Sequence, residues 1–282
     1  MKAQERWDIE ISARRRLLHV DLAALWRYRD LILMFVKRDF VAFYKQTILG
    51  PLWYVLQPLF TTMVFTVVFN SIANIPTDGT PPFLFYLTGL VPWQYFASCM
   101  TKTSDTFVAN AGIFGKVYFP RLAVPLAVVI TNMLAFLIQL AVMAAFLTIF
   151  AWRGATVEPN AWLLVVPLLL LQMAMLGLGI GTLLSSFTTR YRDLTFVVGF
   201  GTQLWMFATP VVYPLSQVPE RWHWLMGLNP MTAVVEIFRK ALLGAGTVDI
   251  TQVASSIVVT VLILVTGLIL FTRVERTSVD TV

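Results

Sequence analysis

"RDFVAFYKQTILGPLWYVLQPL", residues 38–59, joins two different kinds of chain. Its first half sets Arg38, Asp39 and Lys45 among aromatic and aliphatic side chains. Gly50-Pro51 follows, and then a long apolar run. Proline pushes the residue before it away from helical geometry, so the pair predicts a turn between two helices. On a helical wheel Arg27, Asp30, Lys37, Arg38 and Lys45 share an arc of about 100°, whereas Leu25, Ile32, Val36, Phe40 and Phe43 fall elsewhere. The pattern predicts an amphipathic helix lying at a membrane surface, apolar side in lipid and basic edge toward headgroups. A passive anchor and a capture site for an anionic lipid-linked substrate both fit, and periodicity does not separate them.

The rest of the chain supports a membrane setting. Of 282 residues, 58% are hydrophobic and 13% charged, against roughly 45–50% and about 25% in soluble domains. This predicts an all-α integral membrane protein. One cysteine, Cys99, excludes an internal disulfide framework and reads as a small buried thiol. Residues 1–25 lack the apolar core of a cleaved signal peptide.

A helical span takes about 20 mostly apolar residues. Six segments qualify: Leu52–Ile72, Phe83–Met100, Leu122–Ala151, Ala161–Phe187, Leu194–Val212 and Val253–Thr272. With both termini on one side, seventeen Lys and Arg fall there and four on the other, so the positive-inside rule predicts cytoplasmic termini. The net charge of +6 thus reports orientation and gives no reason to expect a nucleic-acid partner. The outer connection 213–249 predicts two short helices, about Glu220–Gly227 and Met231–Leu243, broken at Asn229-Pro230 and dipping into the interface. Within it, Glu236 with Arg239 and Lys240, at i+3 and i+4, reads as helix pairing worth roughly 0.2–0.5 kcal/mol per pair. The expected organisation is a cytoplasmic arm 1–49, a membrane domain 50–273 and a tail 274–282.

Absences narrow the function. The six segments contain no Asp, Glu, Lys, Arg or His, which argues against proton-coupled transport. No G-x-x-x-x-G-K-[ST] loop occurs, so the chain is not expected to bind ATP itself. His19 and His223 lack acidic or cysteine partners at ligand spacing, so no metal or other cofactor is expected. Trp53, Tyr54, Trp93, Tyr95, Phe96, Trp205, Phe207 and Tyr213 fit either interfacial belts or rings lining a path for sugars. "GLGIG", 177–181, has no strand before it and predicts close helix packing through Gly177 and Gly181.

Several stretches, in order, resemble the ABC-2 type permeases that export bacterial surface polysaccharides. They are "FVKRDFVAFYKQTILGPLWYVLQPL" (35–59), "GLVPWQYF" (89–96), "NAGIFGKVYFPR" (110–121), "TTRYRDL" (188–194), "TPVVYPLSQVPERW" (209–222) and "LNPMTAVVEIFRKALLG" (228–244). Together they cover most of the chain beyond about residue 30. The similarity leans toward O-antigen, capsule and teichoic-acid exporters rather than multidrug members, through "KVYFPR" and the "NPM" segment.

The resemblance implies a homodimer of six-helix subunits in the bacterial inner membrane, with an ABC ATPase subunit docked beneath each. ATP and Mg would sit on that partner, so this chain is a transporter subunit and not an enzyme. The flat helix at about 22–47 would flank a lateral gate, where Lys37, Arg38 and Lys45 attract the diphosphate of an undecaprenyl-diphosphate-linked glycan. Asn110, Gly115, Lys116, Tyr118 and Arg121 would belong to the segment coupling to the ATPase. Arg190, Arg192 and Asp193 would touch the ATPase or cap the fifth span. Trp222, Trp224, Asn229, Pro230, Glu236 and Arg239 would form an outer gate from short re-entrant helices. Two rivals remain open: a permease for a small hydrophobic compound or lipid, and a membrane enzyme acting on lipid-linked sugars, for which only Asp39, Asp105 and Asp193 are placed as acids.

Overall fold

A computed structural model of the protein describes residues 22–45, 47–155, 157–191 and 193–277. Among the described residues every regular element is helical. Two short N-terminal helices, α1 (Leu22–Arg27) and α2 (Arg29–Tyr44), precede α3 (Trp53–Phe65) and α4 (Pro82–Ser104). Single turns α5 (Thr106–Ala109) and α6 (Ala111–Phe114) lead to α7 (Ala123–Trp152), α8 (Val166–Thr188) and α9 (Leu194–Phe207). Then come α10 (His223–Leu228), α11 (Pro230–Leu243) and α12 (Ile250–Thr277).

Among the described residues four helical stretches are long and apolar enough to cross a membrane: Gly50–Ile72, Ala123–Trp152, Ala161–Thr188 and Ile250–Glu275. The other two expected spans differ for separate reasons. α4 has the length, 23 residues, but sits at the centre of the bundle with 16 of them buried. Enclosed by protein, it carries Thr88, Gln94 and Thr103 that lipid would disfavour; Thr88 Oγ1 donates back to the carbonyls of Leu84 and Phe85. α9 is apolar but has 14 residues, about 21 Å at 1.5 Å per residue, against a hydrocarbon layer of about 30 Å.

The turn expected at Gly50-Pro51 is present: Gly50 takes φ +53° and Pro51 enters the first turn of the next helix. Glycine adopts that left-handed conformation without a Cβ clash. Inside α3, Pro58 offers no N–H to the Tyr54 carbonyl one turn earlier. The buried Gln139 of α7 fills the gap, donating from Nε2 to Tyr54 O at 3.3 Å. After Phe65 the first span loosens into a π-helical turn, Thr66–Ile72.

"GLGIG" packs as expected, on two neighbours. A Cβ on Gly177 would meet Cys99 Cβ at 2.7 Å, and one on Gly181 would strike Thr103, both on α4. Gly179, between them, turns to α12, where a Cβ would lie 2.7 Å from Leu264 Cα. Gly267 answers from α12 by pressing on the Gly179 carbonyl.

Two expectations require correction. The apolar stripe of the N-terminal helix does not lie in lipid. Leu25, Ile32, Phe35 and Val36 are buried against Phe107, Phe119, Leu122, Ala123, Ala127 and Phe271, because the 107–123 connection and the end of α12 provide an aromatic bed. A break at Tyr28 splits the element into α1 and α2. The second concerns α11, expected in the outer interface. All its residues except Lys240 are buried, so its charged pair faces protein rather than headgroups.

Candidate functional site

At one end of the bundle, α2 presents a mixed outer face. Lys37, Arg38 and Lys45 are all exposed, and Leu33 and Met34 lie exposed among them. Arg38 is committed: its Nε lies 2.7 Å from Asp39 Oδ1, and its guanidinium sits 4.8 Å over the Phe35 ring. Phe40, next along, stacks on Tyr54 at the foot of the first span, with ring centroids 5.9 Å apart.

The same end carries the 105–121 connection. Its inner side is a run of rings, in which Phe107 stacks on Phe271 at 4.8 Å and contacts Phe114, and Phe114 contacts Phe119. Arg121 caps this run, 5.8 Å from the Phe107 ring and 5.3 Å from that of Phe114, while its backbone N–H donates to Glu275. Its outer side is bare: Gly115 and Lys116 are exposed, with Val117 58% and Tyr118 73% accessible. Asn110 is half-buried and donates to Thr106 O at 2.9 Å. The connection is therefore a knuckle packed on rings, with Val117 and Tyr118 at its exposed tip. Arg190 and Asp193 are also exposed, Arg190 lying 5.5 Å over the Tyr191 ring; Arg192 lies outside the described residues. It is Asp105 that ties the start of α9 to the knuckle, accepting from Thr195 Oγ1 at 3.0 Å.

The eight aromatic residues do not form one set. Trp93, Tyr95 and Phe96 are buried in the core of the subunit, their ring faces taken by Trp205, Phe136 and each other. In this conformation no sugar can reach them, which corrects their expected place along a path. Trp53 and Phe207 are exposed, and Tyr54, Trp205 and Tyr213 are half-buried.

At the opposite end stands a polar lock built on α11. Asn229 caps the helix by accepting from Met231 N–H at 3.1 Å and also accepts from Trp205 Nε1 at 3.2 Å. It donates to Thr209 Oγ1 and Ala208 O beyond α9. Pro230 follows in the first turn, where its missing N–H costs nothing. Deeper in, Arg239 is 1% accessible. Its Nη1 lies 3.2 Å from Glu236 Oε1, its Nη2 donates to Val211 O at 2.8 Å, and its guanidinium lies 3.7 Å over Phe85. Glu236 Oε2 accepts from Thr247 N–H at 3.0 Å. Burial lowers the guanidinium pKa to about 10, opposed by Glu236, so the group is charged at neutral pH. The helix pairing expected for Glu236 with Arg239 is thus a buried ion pair, joining α4, α11, the chain after α9 and the approach to α12. By contrast Trp222 and Trp224 are exposed beside and on α10.

Three residues that make polar contacts between helices escaped the sequence reading: Lys102 of α4, whose Nζ donates to Oδ1 of Asn132 on α7 at 3.1 Å, and Gln139. Lys102 stands two residues beyond the expected end of its span. Asn132 and Gln139 are the two amide side chains of a mostly apolar helix, seven residues apart, and that spacing was the available signal.

A family model described as ABC-2 type transporter matches residues 30–243. The chain is 28% identical over 246 residues to a Klebsiella pneumoniae protein named O-antigen export system permease protein RfbA, across 87% of this chain and 92% of that one. A Myxococcus xanthus protein of the same name is 28% identical over 218 residues, covering 76% and 81% of the two chains. The Escherichia coli polysialic acid transport protein KpsM is 27% identical over 199 residues, covering 69% and 74%.

Proposed function

The chain belongs to the ABC-2 type transporter family, and from that premise we propose that it is the membrane subunit of an ATP-driven exporter of a lipid-linked polysaccharide. The observation that carries the reading is the similarity, over 69–87% of this chain, to proteins named for O-antigen export and polysialic acid transport. The working unit is a homodimer in the inner membrane with two ATPase subunits, both termini of each chain in the cytoplasm. Each subunit crosses six times: α4, shielded at the centre, and α9, extended by the buried turn at 209–212, join the four long apolar helices.

The residues then divide the work. The knuckle, with Val117 and Tyr118 at its tip, docks in the ATPase and transmits its closure; the ring stack beneath makes it stiff enough to pass force to α4, α7 and α12. Arg190 and Asp193 stand at the same end for the same partner. The path for the glycan runs past the accessible rings Trp53, Tyr54, Phe207 and Tyr213, which offer flat apolar faces without fixed hydrogen bonds. Trp222 and Trp224 flank its exit, and the lock on α11 holds the outer connection as one body.

Deletion of the gene, with complementation by the wild-type chain, tests the proposal. Lipid-linked glycan is expected to accumulate on the cytoplasmic side while surface polysaccharide disappears. Normal surface polysaccharide in the deletion strain would refute it.

A further inference from the structure

At the same end as the lock, α10, the turn Leu215–Gln217 and the start of α12 enclose a cleft of about 620 Å³. That size falls within the range of clefts that bind small molecules, about 300–1,000 Å³. Its walls are held from both sides. Ser255 Oγ of α12 donates to Gly227 O at 2.9 Å and Gln252 Nε2 to Met226 O at 3.5 Å, which ties the last turn of α10 to α12. On the facing wall Ser216 Oγ donates to Asp78 Oδ1 at 2.9 Å, and His223 Nε2 lies 2.8 Å from Val218 O. The mouth is open, since Ser216, His223, Trp224 and Asp249 are all exposed.

We propose that this cleft is a subsite for a neutral, hydroxyl-rich sugar unit of the exported glycan, with Trp224 as its platform and Asp249 as its acceptor. The inference rests on the export reading above and narrows its substrate class. An indole ring offers a flat apolar surface to the C–H face of a pyranose. The sugar hydroxyls then need acceptors. Asp249 accepts one backbone N–H, that of Thr251 at 2.9 Å, whereas a carboxylate has about four acceptor sites. Hydrogen bonds to a carboxylate are roughly twice as strong as neutral ones. Charge sets the class of sugar. Among the described residues no Lys or Arg lines the cleft, Asp249 is the acid in its wall, and Asp78 stands behind Ser216. An acidic sugar would meet two carboxylates and no cation, so the cleft selects against it.

The test uses the full chain in phosphatidylcholine nanodiscs, titrated with trisaccharides of mannose, galactose and glucose and separately with a sialic acid trimer. Binding is read by saturation-transfer NMR. At least one neutral trisaccharide is expected to bind about fivefold more tightly than the sialic acid trimer. W224A is expected to weaken that binding about tenfold and D249N about fivefold, while W224F, which keeps a ring, stays within about twofold. Trp224 is 64% accessible, and asparagine keeps the cap on Thr251, so the variants are expected to melt with the wild type. If no neutral trisaccharide binds, if the sialic acid trimer binds as tightly, or if W224A and D249N match the wild type, the subsite is overturned and the export reading stands. Normal surface polysaccharide in the deletion strain would instead remove the export reading, and the glycan as ligand with it.

Discussion

Arg239 shows how far environment outweighs spacing. An i, i+3 pair on an exposed helix is worth a few tenths of a kcal/mol; the same pair here is almost inaccessible and tied to two further chain segments. Removing one partner leaves an uncompensated buried charge, a loss of about 3–5 kcal/mol. R239M and E236Q are each expected to lower the melting temperature of the purified subunit sharply, and an R239M/E236L pair to recover part of the loss. Equal melting of the single variants and the wild type would contradict the lock. Glycines offer a second contrast. Gly179 packs against the Leu264 backbone, while Gly199 and Gly201 have nothing within 4 Å. Gly179→Ala is therefore expected to destabilise by about 1–3 kcal/mol. Gly199→Ala is expected to leave the subunit as stable or more so, since alanine favours helix. Thermal unfolding of the two variants in one detergent compares them directly.

At the scale of elements, α3 is a helix whose defect is repaired from outside. Pro58 orphans the Tyr54 carbonyl and Gln139 answers it. The pair forms a thermodynamic cycle: Q139L is expected to cost about 1 kcal/mol in the wild type and close to nothing in P58A, where Tyr54 regains a donor from its own helix. Additive losses in the double variant would contradict the repair. This feature was half legible in the sequence. The proline stands in plain view in "QPLF", but its partner lies 81 residues further on, and only the packing of α3 on α7 joins them. The Gly50-Pro51 turn and the glycine seam of α8 were legible because both follow from local sterics. The apolar stripe of α2 was visible too. Its destination was not, since a wheel gives the face and never what covers it.

For the whole molecule, the composition and the order of segments gave a helical membrane protein and its family, whereas burial of Trp93, Tyr95 and Phe96 depended on which helix occupies the centre. α4 takes that place because its polar and small residues are disfavoured at the lipid face. What the bundle then offers to a partner is the tip at Val117 and Tyr118, exposed above a stiff ring stack. V117E is expected to keep the subunit folded and to abolish stimulation of the partner ATPase by substrate; undiminished stimulation would remove the knuckle from the coupling route. The central claim is that this chain is a conduit wall driven by a separate ATPase, and reconstitution addresses it most directly. Proteoliposomes holding the subunit, with and without its ATPase, would be supplied with a labelled lipid-linked glycan and ATP. Glycan is expected to cross only when both proteins and ATP are present. Movement by the subunit alone, or none by the complete complex, would contradict the account.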